Sequence, residues 1–261
     1  MITLTPGTVA VIELDNGPLN LVDVAAMEQL HAALDEVEAA VAGVGGGTGP
    51  RALILAASGD RAFCAGSDVK EFEGLHKRVA QGKLLYEKYV YRKLAETRVP
   101  TIAAIENDAL GGGLELALCC DIRIAAAHAR LGMPEVRLAV MPGSGGTQRL
   151  PKVVGPAKAK ELIFTGELID AAEAERIGLV NRVVQTGHAR EAALAMGATI
   201  AQRGPIPVRE AKRLIEHAHD LDIDAGLAAE LDASDRVFSS DDMLEGARAF
   251  FAKRPPDFSG H

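Results

Sequence analysis

The sequence predicts an α/β fold, and three observations lead to it. Continuous apolar runs at residues 51–57 and 101–105 have the composition of strands covered on both faces, as in a parallel sheet. Segments of helical periodicity separate them, which is the alternation that builds helices against a sheet. The chain has 261 residues, enough for a sizeable core in one large domain or a domain with an appendage.

Residues 8–14 are β-branched and end at the turn cluster Asp15-Asn16-Gly17-Pro18, so they read as a strand. Apolar positions 24, 27, 30, 34, 37 and 41 follow at helical spacing and predict a helix with one buried face. The glycine-rich stretch 43–50 stops it and lacks the Lys-Ser/Thr ending of a phosphate-binding loop, so it reads as a surface connection. Residues 63–72 begin as a turn of small residues and become helical. Residues 83–98 read as a helix with interleaved bases and tyrosines: a solvated face with Tyr packed beneath, or alternatively an RNA-contacting face.

Val99-Pro100 marks a boundary, because a residue before proline leaves the helical region. After the strand 101–105, Gly111-Gly112-Gly113 reads as a turn that opens a helix, with Glu115 in its first turn inside an apolar run. A short strand at 121–125 leads to Pro134-Glu135, an acid at the start of a helical turn. A second glycine loop spans 142–147; helices are expected over 157–165 and 171–177 and a strand over 179–184. From His188 to Lys253 the pattern is helical, and the boundary is drawn as a core, 1–199, and a helical region, 200–261.

Composition excludes several classes of function. The formal net charge of −8 offers no global attraction to nucleic acid or an anionic membrane. No apolar run approaches the ~18 residues of a membrane span, and the N-terminus lacks the pattern of a secretory signal. Three cysteines without framework spacing point to a reducing cytoplasm. No metal-ligand spacing occurs, and Met141 stands where a Gly-x-Ser-x-Gly elbow around Ser144 would need glycine. What remains is two small-residue turns able to present backbone N–H groups, with glutamates close to both.

These residues resemble the crotonase (enoyl-CoA hydratase/isomerase) superfamily at residues 62–70, 109–117, Pro134-Glu135 with 142–150, 161–166, 171–174, 178–181 and 250–255, covering nearly the whole chain in order. The resemblance implies a spiral of ββα units with a C-terminal helical region that builds trimers or dimers of trimers. It implies an oxyanion hole from the backbone N–H groups of Ser67 and Gly112. It makes Glu115 the group that activates water and Glu135 the one that exchanges a proton at C2 of an enoyl-CoA. CoA and substrate contacts are expected from Ala65, Gly66, Asp68, Lys70, Gly111, Gly143, Phe250 and Lys253. The acyl-CoA thioester is then the substrate, with no separate cofactor and no metal.

Retention of both acids favours a hydratase. A specialised 3-hydroxyacyl-CoA dehydratase of the carnitinyl-CoA type, a double-bond isomerase and a non-catalytic RNA-binding relative are the alternatives. The sequence departs from the family at Glu106-Asn107-Asp108, where a glycine-containing turn is usual; this sets two extra acids beside the glycine triplet, close to the expected pocket.

Overall fold

The computed structural model describes residues 1–44, 49–75 and 77–261; the middle of the expected glycine connection, 45–48, lies outside them. The strands are β1 (Ile2–Thr5), β2 (Val9–Leu14), β3 (Ala52–Ala57), β4 (Ala62–Cys64), β5 (Thr101–Ile105), β6 (Asp108–Leu110), β7 (Ile122–Ala126), β8 (Arg130–Gly132), β9 (Leu168–Asp170) and β10 (Arg182–Val184). The helices are α1 (Val24–Val41), α2 (Lys70–Leu75), α3 (Leu85–Ala95), α4 (Gly112–Ala117), α5 (Gly146–Val154), α6 (Pro156–Thr165), α7 (Ala171–Arg176), α8 (Ala189–Ala201), α9 (Pro205–His217), α10 (Ile223–Phe238) and α11 (Asp241–Ala252). A π-helical turn, Ala80–Leu84, precedes α3, and a 3-10 turn spans Pro134–Leu138.

Six strands form one sheet in the order β1-β2-β3-β5-β7-β10, parallel except for the β1–β2 pair. The reason is visible in β3. Leu53 and Leu55 enter a core shared with Leu30 and Leu34 of α1 and Val90 and Leu94 of α3, while Ile54 and Ala56 enter a second cluster with Ala193 of α8. Both faces are covered, so alternate side chains are all apolar. Asp23 caps α1, its Oδ1 accepting from Ala26 N at 2.7 Å, and the helix buries Met27, Leu30, Leu34 and Val37 at helical spacing. Gly197 lets α8 lie close on the sheet, since a Cβ there would stand 2.8 Å from Val9 Cγ1.

The second sheet, β4-β6-β8-β9, carries the site. None of its strands was expected, because three-residue strands show no periodicity. Other expectations shift at their edges. The first strand begins at Val9 and gains β1 as an antiparallel neighbour. The strand expected over 179–184 shrinks to Arg182–Val184, because buried Arg123 takes Leu179 O with its Nε (2.7 Å) and Asn181 Oδ1 with its backbone N–H (2.9 Å).

The helix expected over 83–98 is the π turn followed by α3; its solvated face carries Lys88, Arg92 and Arg98 with Tyr91 packed beneath, and only Lys83 and Glu87 depart from that reading. Lys83 is buried, donating to Val22 O (2.8 Å) and paired with Glu71, and Glu87 is 1% exposed. Lys93 pairs with Asp35, Arg92 with Glu96, and Arg98 with Glu38.

Beyond Gly204 the chain is helical, in α9, α10 and α11. No helix among the described residues is long and apolar enough to cross a membrane, and no three metal-ligating side chains cluster among them.

Candidate active site

The ends of β4 and β6 deliver two turns to one place. Gly66 lies at φ 95°, and a Cβ there would stand 3.0 Å from Leu110 O and 3.2 Å from Gly112 N. Only glycine lets these turns approach so closely. Gly113 is tighter still: its Cβ would meet Cys64 O at 2.0 Å. The result sets the N–H groups of Ser67 and Gly112 side by side, and neither donates to an acceptor among the described residues. Gly112 is the first residue of α4, where an N–H has no intrahelical partner. Tyr91, fully buried on α3, fixes this turn by donating from its hydroxyl to Gly112 O at 2.8 Å.

Two carboxyl groups stand by these donors in unlike surroundings. Glu115, 2% exposed, accepts on one oxygen from Ser144 N and Gly146 N, both at 2.7 Å. Burial pushes its pKa up, and the N–H groups of the 143–146 turn pull it back. Glu135 lies on the 3-10 turn and packs on Gly111, where a Cβ would come within 3.2 Å of Oε1. Both its carboxyl oxygens are buried with no hydrogen-bond partner. Burial, and then the charge of Glu115, raise its pKa to about 7. Both carboxyls are raised, and the backbone donors that reach Glu115 alone make it the member of the pair better held as a carboxylate, a difference the sequence left open.

These groups line a cleft of about 290 Å³, along with Ala65, Gly66, Gly111, Gly143 and an apolar set that includes Val69, Phe72, Leu84, Val140 and Met141. The other expected contact residues lie outside this lining. Asp68 caps α2, its Oδ1 accepting from Lys70 N at 3.0 Å. Lys70 begins that helix with an exposed side chain. Phe250 is on the last turn of α11, 79% exposed, and Lys253 caps the helix at φ 54°. The acids expected to crowd the pocket also point elsewhere. Glu106 accepts from Gly187 N and Ala189 N at the start of α8, Asp108 pairs with Arg130, and Asn107 meets His128.

Sequence reasoning missed Glu87, Ser144 and Tyr91. Ser144 Oγ donates to Glu87 Oε1 at 2.5 Å, so the turn that holds Glu115 is itself tied to α3. The signal for Glu87 was present: Leu84, Glu87, Tyr91 and Leu94 share one helical stripe, and an acid within an apolar stripe is as unusual there as Glu115 is in α4.

Comparison with known proteins identifies the family and the fold. The sequence profile of the enoyl-CoA hydratase/isomerase family matches residues 5–261. The chain is 41% identical to a crotonyl-CoA hydratase of Syntrophomonas wolfei over 223 residues, covering 85% of this chain and 86% of that one. It is 42% identical over 214 residues to the mitochondrial methylglutaconyl-CoA hydratase of Rattus norvegicus, covering 80% of this chain and 68% of that one. The crystal structure of an enoyl-CoA hydratase from Bacillus anthracis superposes with a TM-score of 0.92 at 39% identity, covering 100% of this chain and 99% of that one, and shares its fold.

Proposed function

From the membership of this chain in the enoyl-CoA hydratase/isomerase family, we propose that it is an enoyl-CoA hydratase, adding water reversibly and syn across a trans-2-enoyl-CoA to give a 3-hydroxyacyl-CoA. The observation that carries the reading is the pair of N–H groups, Ser67 and Gly112, without acceptors among the described residues, lying beside one carboxyl held by backbone donors and one with no hydrogen-bond partner among the described residues.

The thioester oxygen accepts from both N–H groups. As water attacks C3, charge moves through C2 onto that oxygen, and the two donors stabilise the enolate; one such donor is worth ~10²–10³ in rate. Glu115, as the carboxylate held by Ser144 N and Gly146 N, takes a proton from the water as the water oxygen bonds to C3. Glu135, the carboxylic acid, gives its proton to C2 as the enolate collapses. One proton leaves water and one joins carbon, so the pair ends with its proton on the other member. CoA is part of the substrate, and no other cofactor takes part.

The test is turnover of crotonyl-CoA, followed by loss of the conjugated-thioester absorbance. Glu115→Gln and Glu135→Gln should each lower kcat by ~10²–10⁴, the usual contribution of a positioned acid or base, while the protein still binds a saturated acyl-CoA. Full hydratase activity in Glu115→Gln would remove Glu115 as the base, and double-bond migration without hydration would point to a one-acid isomerase instead.

Self-association fits this reading. Ile223, Leu227, Leu231 and Phe238 of α10 and Phe250 and Phe251 of α11 are between 54% and 83% exposed. We assign this apolar surface to further copies of the chain, as a trimer or a dimer of trimers, to be checked by light scattering. Three buried free thiols suit a reducing compartment, and we place the enzyme in the cytoplasm.

A further inference from the structure

We propose that Glu87 is a specificity-determining residue, the polar floor of the acyl pocket, and that the acyl group it selects is short and carries a hydroxyl beyond C3. The inference rests on the hydratase reading and deepens it by naming the substrate class.

Depth in the cleft locates the residue. Leu138, Val69 and Met141 are 51% to 69% exposed and mark the mouth, whereas Glu87 is 1% exposed. We place the CoA moiety at this exposed mouth, with the acyl tail pointing inward. Position along α3 gives the same answer. Tyr91 marks the oxyanion turn through its bond to Gly112 O, and Glu87 lies four residues earlier on the same face. That spacing is about 6 Å along a helix axis, the length of several carbon–carbon bonds, so we place Glu87 beside the acyl tail and not at the carbonyl.

The chemistry of the floor is set by its hydrogen bonds. Ser144 Oγ occupies Glu87 Oε1, while Glu87 Oε2 is buried and has no partner among the described residues, and the residue lines this cleft as well as a second hollow beside Asp23, Met27 and Tyr86. An unpaired buried polar atom is costly, and a substrate hydroxyl relieves that cost. A saturated alkyl tail leaves it in place. A carboxylate tail would approach the Glu115 carboxylate and would lose its own solvation, and Lys77, a cation of the lining, is exposed. Such a tail is therefore rejected.

Purified enzyme is assayed with crotonyl-CoA, 4-hydroxycrotonyl-CoA, trans-2-hexenoyl-CoA and glutaconyl-CoA. The wild type should favour the 4-hydroxy ester and turn over glutaconyl-CoA least. Glu87→Leu should lower the ratio of kcat/KM for 4-hydroxycrotonyl-CoA over crotonyl-CoA about tenfold or more and raise the relative rate with hexenoyl-CoA. Glu87→Gln keeps a hydrogen-bonding floor and should hold most of the preference. A ratio that Glu87→Leu leaves within about twofold of wild type overturns the proposal.

Binding to wild-type enzyme tests the same point without turnover and without any variant. By calorimetry, 4-hydroxybutyryl-CoA should bind more tightly than butyryl-CoA by about fivefold or more, the scale of one net hydrogen bond; equal affinity overturns the proposal. Failure to hydrate any enoyl ester would overturn the hydratase reading by itself, since the binding comparison still reports on Glu87.

Discussion

Gly146→Ala isolates the turn that keeps Glu115 ionised. A Cβ at this position would lie 2.9 Å from Pro142 Cβ, 3.0 Å from Glu115 Oε1 and 3.1 Å from Glu115 Cγ. Contacts that short are not adopted, so the turn or the carboxylate must give by a few tenths of an ångström. Pro142 blocks one direction, and movement of Glu115 stretches its 2.7 Å bonds to Ser144 N and Gly146 N. Hydrogen bonds to a charged group are worth about 1.5–3 kcal/mol, so weakening one should lower kcat about 10- to 100-fold.

The fold itself should not suffer. Gly146 is the first residue of α5 and lies outside the positive-φ set, and alanine in a helix is favoured over glycine by up to ~1 kcal/mol, which offsets part of the crowding. The expected result is a large loss of kcat with crotonyl-CoA at nearly unchanged melting temperature. The acid limb of the pH profile should also move upward, because Glu115 loses a donor that lowers its pKa. Activity within about threefold of wild type, with the acid limb unmoved, would refute the role given to this turn.

Three further outcomes follow from the same coordinates. The profile of kcat/KM for hydration should fall on the alkaline side with a midpoint near the Glu135 pKa of about 7, since Glu135 must be protonated to supply C2; a flat profile to pH 9 would remove it as the acid. Because this carboxyl titrates above its ordinary value of 4.5, the folded state binds more protons between 4.5 and about 7, and its stabilising contribution at low pH is lost as pH rises through that window. Cys64, Cys119 and Cys120 should resist a disulfide reagent until the protein is unfolded, because all three are buried and the thiols of Cys64 and Cys119 are pushed up to about 12; reaction of any in native protein would contradict the packing of α4. Gly226→Ala, in α10 with no atom within 4 Å of the new Cβ, should raise the melting temperature by about 1–3 °C without changing kcat, as scanning calorimetry and the hydratase assay would show.

Large, regular elements were legible in the sequence because their periodicity is long enough to see. The buried runs became β3 and β5, and the 24–41 stripe became α1. The turns of the candidate site were legible for another reason: Gly66, Gly111 and Gly113 stand where a Cβ would be crowded, and the density of glycines exceeds what a plain connection needs. What stayed hidden depends on contacts distant in the chain. Three-residue strands exist only through their partners in β4-β6-β8-β9. Glu106 and Asp108 look like pocket acids beside the glycine triplet, yet each is claimed by a partner at least 22 positions away. Lys83 and Glu87 look like solvated helix charges, yet their partners, Glu71 and Ser144, are 12 and 57 positions away.

The two site glutamates show how placement, and not residue type, assigns chemistry. Both sit in the first turn of a short helical segment, after a glycine in one case and a proline in the other. Both are buried, and burial alone raises a carboxyl pKa and favours the neutral form. The 143–146 turn breaks the symmetry, because it spends two N–H groups on Glu115 and none on Glu135. One proton shared by the pair then has a defined home before water adds. After addition it occupies the other site, which is the starting arrangement for dehydration. On the proposed hydratase reading, both directions of the reaction would run on the same singly protonated pair, and their pH limits would be macroscopic properties of the pair. Removing the turn's donors would erase the difference between the carboxyls even if neither glutamate were touched, and the Gly146→Ala profile is sensitive to that loss.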